Sequence, residues 1–522
     1  MKLKTLLKAT ITTLCISLVT LVQAQNYSFT DVAKGGLKNS GTIVEGNVIK
    51  GYFYFYFSEK ISRKNNAYEI VILNENLEEK STAKIVEPKT TYMMEAAYNE
   101  KNILFKFYDT KSKMVSYRTM DPAGNLSAKE TREANKHEIS GYVNSISTDQ
   151  ENTNVQAISE KLFIDVHNYK DKQYKYSIQG LTNSGEIDWT YTPTNKMKIE
   201  MGEYLGNSDD QIWIQVSQSK GIMSRDYTFD LAGISTTGEE DFRIPLQTSR
   251  YNLLAHNATY KKEEDEIVIL GEYYDIKDKS MKSDSKGVFI KVINSDGSEV
   301  SEDFISWSRD IGGMLSPVEK KDLGKYYVYF HKIIQTADGK ILAIGEQYRK
   351  QVSAGGLALQ MLAASSGNVS TDAGSMEIKL GKMIVIEIGA DYTLSAVDIH
   401  DKKETRVNLP QGYGMVSQHL LAKVLKAEGL FNYSFTQNND DNSLVTFSYV
   451  DVEKVKGKMR KQAVAHFISY VQGEEEYTAD KLLLTTEASS IWFMPAKPGY
   501  VLIIEFFKKE KTMELRLEPI NY

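Results

Sequence analysis

Residues 51–60 read GYFYFYFSEK: Tyr and Phe alternate from Tyr52 to Phe57, and the chain then turns polar at Ser58-Glu59-Lys60. A strand buried on one face alternates apolar with polar residues, whereas a strand covered on both faces reads apolar almost without interruption. Tyr and Phe combine high strand propensity with the bulk to fill a wide gap between layers. The stretch therefore predicts a strand sandwiched between two other sheets, ending in a hairpin tip in water. A platform for stacking sugars is the alternative, but comparable runs recur along the chain and favour packing.

The recurrence decides the fold class. Short apolar runs that end in a charged, mostly lysine-rich tip begin near residues 49, 102, 161, 211, 266, 340, 443 and 499. Each is followed by a second strand-like run such as YEIVILNENLEEK or GVFIKVINSDGSEV, most of them closed by Asn, Asp or Gly turn residues. Most are preceded by another β-like stretch, for example TYMMEAAYNE, YNLLAHNATY and KYYVYFHKIIQ. An inner strand, a long hairpin and a fourth strand, repeated about every 50–60 residues, describe an all-β fold: a β-propeller of four-stranded antiparallel blades. Eight units predict eight blades, with seven as the alternative. The last unit, ending TMELRLEPINY, is short of an outer strand, and NYSFTDV near the N-terminus is placed to supply it and close the ring.

The first residues do not belong to that repeat. Lys2, Lys4 and Lys8 precede the apolar stretch ATITTLCISLVTLV, and Val22-Gln23-Ala24 has the small-residue pattern of a cleavage site. We read residues 1–24 as a signal peptide and 25–522 as a single propeller domain, exported to the periplasm or beyond the cell. Cleavage removes Cys15, the only cysteine, so stability must come from a core rather than from disulfides. No later stretch is long and apolar enough to span a membrane. The net charge of −6, more negative once the leader lysines are lost, argues against nucleic-acid binding.

The stretch YFHKIIQTADGKILAIGEQYRK, followed by SAGGLALQMLAA and KMIVIEIGADYTLSAVDI, resembles a family of secreted, propeller-like proteins of unknown function from gram-negative bacteria. The resemblance is most specific over residues 329–400. It implies export and a propeller-like fold, and it carries no catalytic residues.

Motifs for chemistry are absent. There is no GxSxG, HExxH or GxxxxGK[ST] pattern, and NSDGSEV and QTADGKI lack the alternating acids of a calcium loop. The seven histidines (His137, His167, His256, His331, His400, His419 and His466) are scattered, with no pair at metal-ligand spacing along a helix or hairpin. We expect no metal site and no cofactor. The inner strands nevertheless carry polar residues among apolar ones: Glu95, Glu203, His256, His331 and Asn432. Lining a central channel, these would converge for acid–base work or simply face water.

Two segments depart from the repeat. Residues 350–381 replace a hairpin tip with a small, apolar insertion in which Leu357, Leu359, Met361 and Leu362 suit a short helix and a protein partner. Residues 411–429 place Val416, Leu420, Val424 and Ala427 at helical spacing, with Gly429 at the end. Both insertions would decorate one face. The expectation is a non-enzymatic binding protein presenting a propeller face to a protein or glycan partner of the cell envelope. A hydrolase or lyase acting on a glycan or peptide at the channel mouth, and a structural subunit of an envelope complex, are the alternatives.

Overall fold

A computed structural model describes residues 26–522 apart from 33–39, 149–153, 171–172, 195–196, 222–225, 279–282, 353–375, 409–417 and 454–461. Residues 1–25, and Leu357, Leu359, Met361 and Leu362, lie outside the described residues.

The aromatic strand behaves as its sequence requires. Val48–Lys60 is the second strand of the first blade, between Ser40–Glu45 and Asn65–Asn74, with Glu79–Pro88 outermost. Its alternation sorts the rings by face. Tyr52 and Tyr54 pack with Phe29, Leu502 and Ile504 on one side, while Phe53 and Phe55 pack with Phe105 and Phe107 of the next blade on the other. The Phe53 and Phe105 rings meet edge to face at 5.7 Å. Opposite Phe53 the inner strand has Gly41. A β-carbon at that position would collide with the Phe53 ring, so the glycine makes room for the aromatic.

The same unit recurs around the ring. The second strands start at Val48, Ile103, Leu162, Gln211, Glu266, Ile341, Leu444 and Tyr500, each within a residue or two of the repeat positions read from the sequence. Eight units result, four-stranded except that blade six adds the short strand Thr405–Asn408 beside Met376–Ile388, distributed over seven hydrogen-bonded sheets. Blades three and four share one sheet through a single parallel pair, Tyr174 with Ile199. Seven is thus the number of sheets and eight the number of blades. First strands of neighbouring blades contact one another and form the inner wall.

Each of the eight blade-to-blade interfaces has its own buried apolar cluster, including one between the last blade and the first. The ring is closed by strand pairing: Asn26–Phe29 pairs antiparallel with Thr512–Pro519 as the outer strand of blade eight. Phe29 and Val32 are buried there.

Among the described residues, three helices longer than a turn or so sit in the connections between blades, with the short helical turns Trp307–Ile311 and Gly312–Met314 ahead of the second. α1 (Lys136–Thr148) follows blade two, α2 (Pro317–Leu323) follows blade five, and α3 (Gln418–Ala427) follows blade six. Only α3 was anticipated. It buries Leu421, Ala422 and Leu425, with Val424 half-buried, against Tyr348, Ile378 and Leu380 of blade six, and Gly429 follows at φ +60°. α1 escaped because Ser and Gly interrupt its apolar face (KHEISGYVNSIST), yet Tyr142 anchors it on Tyr108 at 4.8 Å. α2 begins with Pro317 behind a Ser316–Glu319 capping box. The insertion in blade six is narrower than expected, because its flanking strands Ile341–Val352 and Met376–Ile388 run on as a long hairpin. No helix among the described residues is long and apolar enough to cross a membrane.

Candidate functional site

The inner strands bend before they reach the channel. In blades two to seven a β-bulge interrupts the first strand, and in blades five and six the bulged residues are His256 and His331. A bulge re-aims the side chain it carries.

The five polar residues singled out in the sequence divide into groups. Glu203 is exposed in the channel, where it is paired with Lys423 of α3 and held by Gln215 Nε2 at 3.3 Å. Burial by the surrounding wall pushes its carboxyl up, but the Lys423 ammonium outweighs that and keeps it below the ordinary carboxylate range. His256, one blade on, lies 3.2 Å from Glu272, whose carboxylate also accepts from Tyr274 at 3.1 Å and Ser285 at 2.6 Å. His331 and Asn432 meet on Glu346. The Asn432 and Tyr433 amides each donate to Glu346 at 3.0 Å, and His331 Nε2 stands 3.6 Å away. The His331 ring is stacked on Tyr433 at 4.3 Å and boxed by Tyr329 and Phe431. Burial lowers its pKa to about 4, so the imidazole is neutral near pH 7.

Glu95 stands apart from these. It accepts from the Asn154 and Val155 amides at 2.6 and 2.8 Å and ties blade two to the inner strand of blade three. Gln215 does the same for Ala255, at 2.8 Å, and Gln437 for Ala496, at 2.9 Å. Glu95 and Glu346 thus belong to a recurring device in which one blade caps the inner strand of the next. Sequence analysis assigned Glu95 to the channel. Its side chain instead serves the interface, because the bulge between Met93 and Glu95 turns it away from the axis.

That interface also holds a charge cluster invisible in the sequence. Lys106, on an otherwise apolar strand, lies 2.9 Å from Asp165 and 3.3 Å from Glu95, all three buried. Burial would lower the Lys106 ammonium, but Asp165 and Glu95 outweigh it and hold it well above its usual value. Asp165 is pushed up by burial and pulled well below the usual range chiefly by Lys106.

A second cluster lies in blade seven. Asp451 and Glu453 are on its second strand and His466 is on the third, opposite Tyr449. Donor atoms of the three all lie within 4.8 Å of one another. No spacing rule within one strand finds this set, because it exists only through the hairpin register.

The two faces of the ring differ in charge. In a four-stranded blade the turns between strands one and two, and three and four, emerge on one face, and the two–three hairpins on the other. The first face carries exposed acids such as Glu100, Glu160, Asp209, Glu263, Asp440 and Glu475. Around its mouth, Tyr98, Glu100, Ile158, Glu160 and Asp209 line a cavity of about 550 Å³. The hairpin face has a basic arc across three neighbouring blades: Lys508 and Lys509, then Arg63 and Lys64, then Lys111 and Lys113, all exposed.

A ring of four-stranded antiparallel blades around a polar channel, with faces of opposite charge, defines a β-propeller scaffold. The chain belongs to a family of unknown function, DUF6770, whose model matches residues 1–521. No curated protein matches it. Among solved structures it is similar to the WD40 domain of SCAP from fission yeast, at 8% identity over 94% of this chain and 97% of that one, with a TM-score of 0.35. The β-propeller domain of the Trilobed protease from Pyrococcus furiosus aligns at 12% identity over 70% and 95%, with a TM-score of 0.30. A PL25 ulvan lyase aligns at 10% identity over 82% and 91%, with a TM-score of 0.36.

Proposed function

We propose that the chain is an exported, non-catalytic binding scaffold whose hairpin face docks an anionic glycan of the cell envelope. The observation that carries this reading is the segregation of charge. Arg63, Lys64, Lys111, Lys113, Lys508 and Lys509 form one exposed basic arc, while the opposite face is acidic although the chain as a whole is negative. Such a molecule approaches a polyanion in one orientation, hairpins first. Flexible lysines on hairpin tips suit a carboxylated or sulfated polymer, since they adapt to unevenly spaced charges without a preformed fork. The export reading rests on Lys2, Lys4, Lys8 and the apolar stretch behind them.

The test is binding of the purified chain to immobilised alginate and to neutral dextran across a salt series. Alginate binding should weaken steeply from about 50 to 300 mM salt, and dextran should not bind. Replacing Lys111, Lys113, Lys508 and Lys509 with Glu should cut alginate affinity at least tenfold. Converting Glu475 and Glu476 to Lys should not. Salt-insensitive binding, equal retention on dextran, or no effect of the lysine reversal overturns the reading.

A further inference from the structure

We propose that Asp451, Glu453 and His466 form a binding site for a first-row divalent transition metal ion. Three features of the cluster support this. The first is the donor set. Two carboxylates and one imidazole place their donor atoms within 4.8 Å of one another. Metal–ligand bonds of about 2.0–2.2 Å span about 4 Å between opposite donors, so a small contraction closes the set around an ion. An imidazole ligand selects transition metals over Ca²⁺ and Mg²⁺, which take oxygen donors.

The second is the state of the histidine. His466 Nε2 is buried and makes no hydrogen bond of acceptable geometry, although Glu453 Oε1 is 3.0 Å away. A buried ring nitrogen that faces a carboxylate without a well-directed hydrogen bond lacks the partner such atoms normally have. A cation between the two supplies it.

The third is the support around the ligands. The His466 ring is stacked on Tyr449 at 4.9 Å and 3°, which fixes its plane. Asp451 accepts from the Lys403 amide at 2.9 Å and from the Val452 amide at 2.6 Å. The second oxygen of Glu453 is held by Lys481 at 3.1 Å, leaving Oε1 toward the cluster. Partners of this kind orient first-row metal ligands and tune their affinity. Three protein donors leave positions for water or for an oxygen ligand from solution.

The experiment is calorimetric titration of Zn²⁺ into the full chain after chelator treatment. One site is expected, with zinc bound at micromolar concentration or tighter and not displaced by millimolar Ca²⁺. His466→Ala and Asp451→Asn should each weaken binding at least tenfold, with far-UV circular dichroism unchanged. His137→Ala, at an exposed histidine on α1 outside the cluster, should leave affinity unchanged. Should either ligand variant not fold, Co²⁺ added to the intact chain should shift the NMR signals of the His466 ring before those of any other histidine. No saturable zinc binding up to about 0.1 mM, full affinity in folded His466→Ala, displacement by Ca²⁺, weaker binding by His137→Ala, or first shifts at another histidine each overturns the proposal.

Discussion

Replacing Lys106 with Met tests whether the blades are keyed together by buried charge as well as by apolar packing. Met keeps most of the length and the apolar stem but removes the ammonium. Asp165 and Glu95, both buried, then lose the cation 2.9 and 3.3 Å away. Breaking a buried pair by deleting one partner costs about 3–5 kcal/mol, because the surviving charge is left uncompensated. Asp165 keeps the Tyr117 hydroxyl and has Arg132 at 3.5 Å, so the lower end, about 3 kcal/mol, applies. At about 2 cal/mol/K of unfolding entropy per residue, a propeller of about 500 residues loses roughly 3 °C in melting temperature. Calorimetry and urea titration of Lys106→Met, Asp165→Asn and the double variant measure it. The double variant should cost at least about 1 kcal/mol less than the sum of the singles. A loss below about 1 kcal/mol in Lys106→Met, or strict additivity, refutes the idea that this cluster acts as a unit.

The remaining predictions concern closure, packing and pH. Phe29→Ala empties a buried aromatic site at the seam between the last and first blades and should cost about 3–5 kcal/mol by urea unfolding; a loss under 1 kcal/mol would mean that the N-terminal strand does not hold the ring shut. Gly41→Val drives a side chain into the Phe53 ring and should lower stability by about 1–3 kcal/mol, partly recovered in Gly41→Val/Phe53→Ala; no recovery would deny the contact. His331 has a folded pKa of about 4 against the ordinary histidine value of 6.5, so the unfolded chain takes up this proton first as pH falls. Its contribution is intact above about pH 6.5 and is lost on acidification toward pH 4, by up to about 3 kcal/mol. His331→Phe should flatten the pH dependence of urea unfolding in that window, and an unchanged slope would show the ring to be better solvated than its aromatic box implies.

Much of the architecture was legible in the chain because propeller blades write their burial directly into sequence. A strand covered on both faces has no polar period, so GYFYFYF, EIVILGEYY and YVLIIEFF announce second strands, and their polar tips announce hairpins. The spacing of those runs located all eight blades, and the unpaired end of the last unit pointed to the N-terminal strand that pairs with it. The helices were harder to read. α3 carries an uninterrupted apolar stripe, while α1 is recruited by tertiary packing of Tyr142 onto Tyr108 despite weak periodicity.

The side-chain chemistry was much less visible. The polar residues of the inner strands could be named, but a bulge shifts a side chain by one position, and one position decides between channel and interface. Glu95 went to the interface with Lys106 and Val155, whereas Glu203 is exposed and meets Lys423 from a helix more than two hundred residues later. Asp451, Glu453 and His466 come together only because the hairpin register sets Tyr449 opposite His466. The chain by itself determined the strands and their repeat, and pointed to eight blades over seven and to the strand that closes the ring, since these follow from local burial patterns repeated along one dimension. Which charges meet was decided by the tertiary structure alone, because it depends on cross-strand register, bulges and the closing of a ring, and none of these leaves a periodic mark on the sequence.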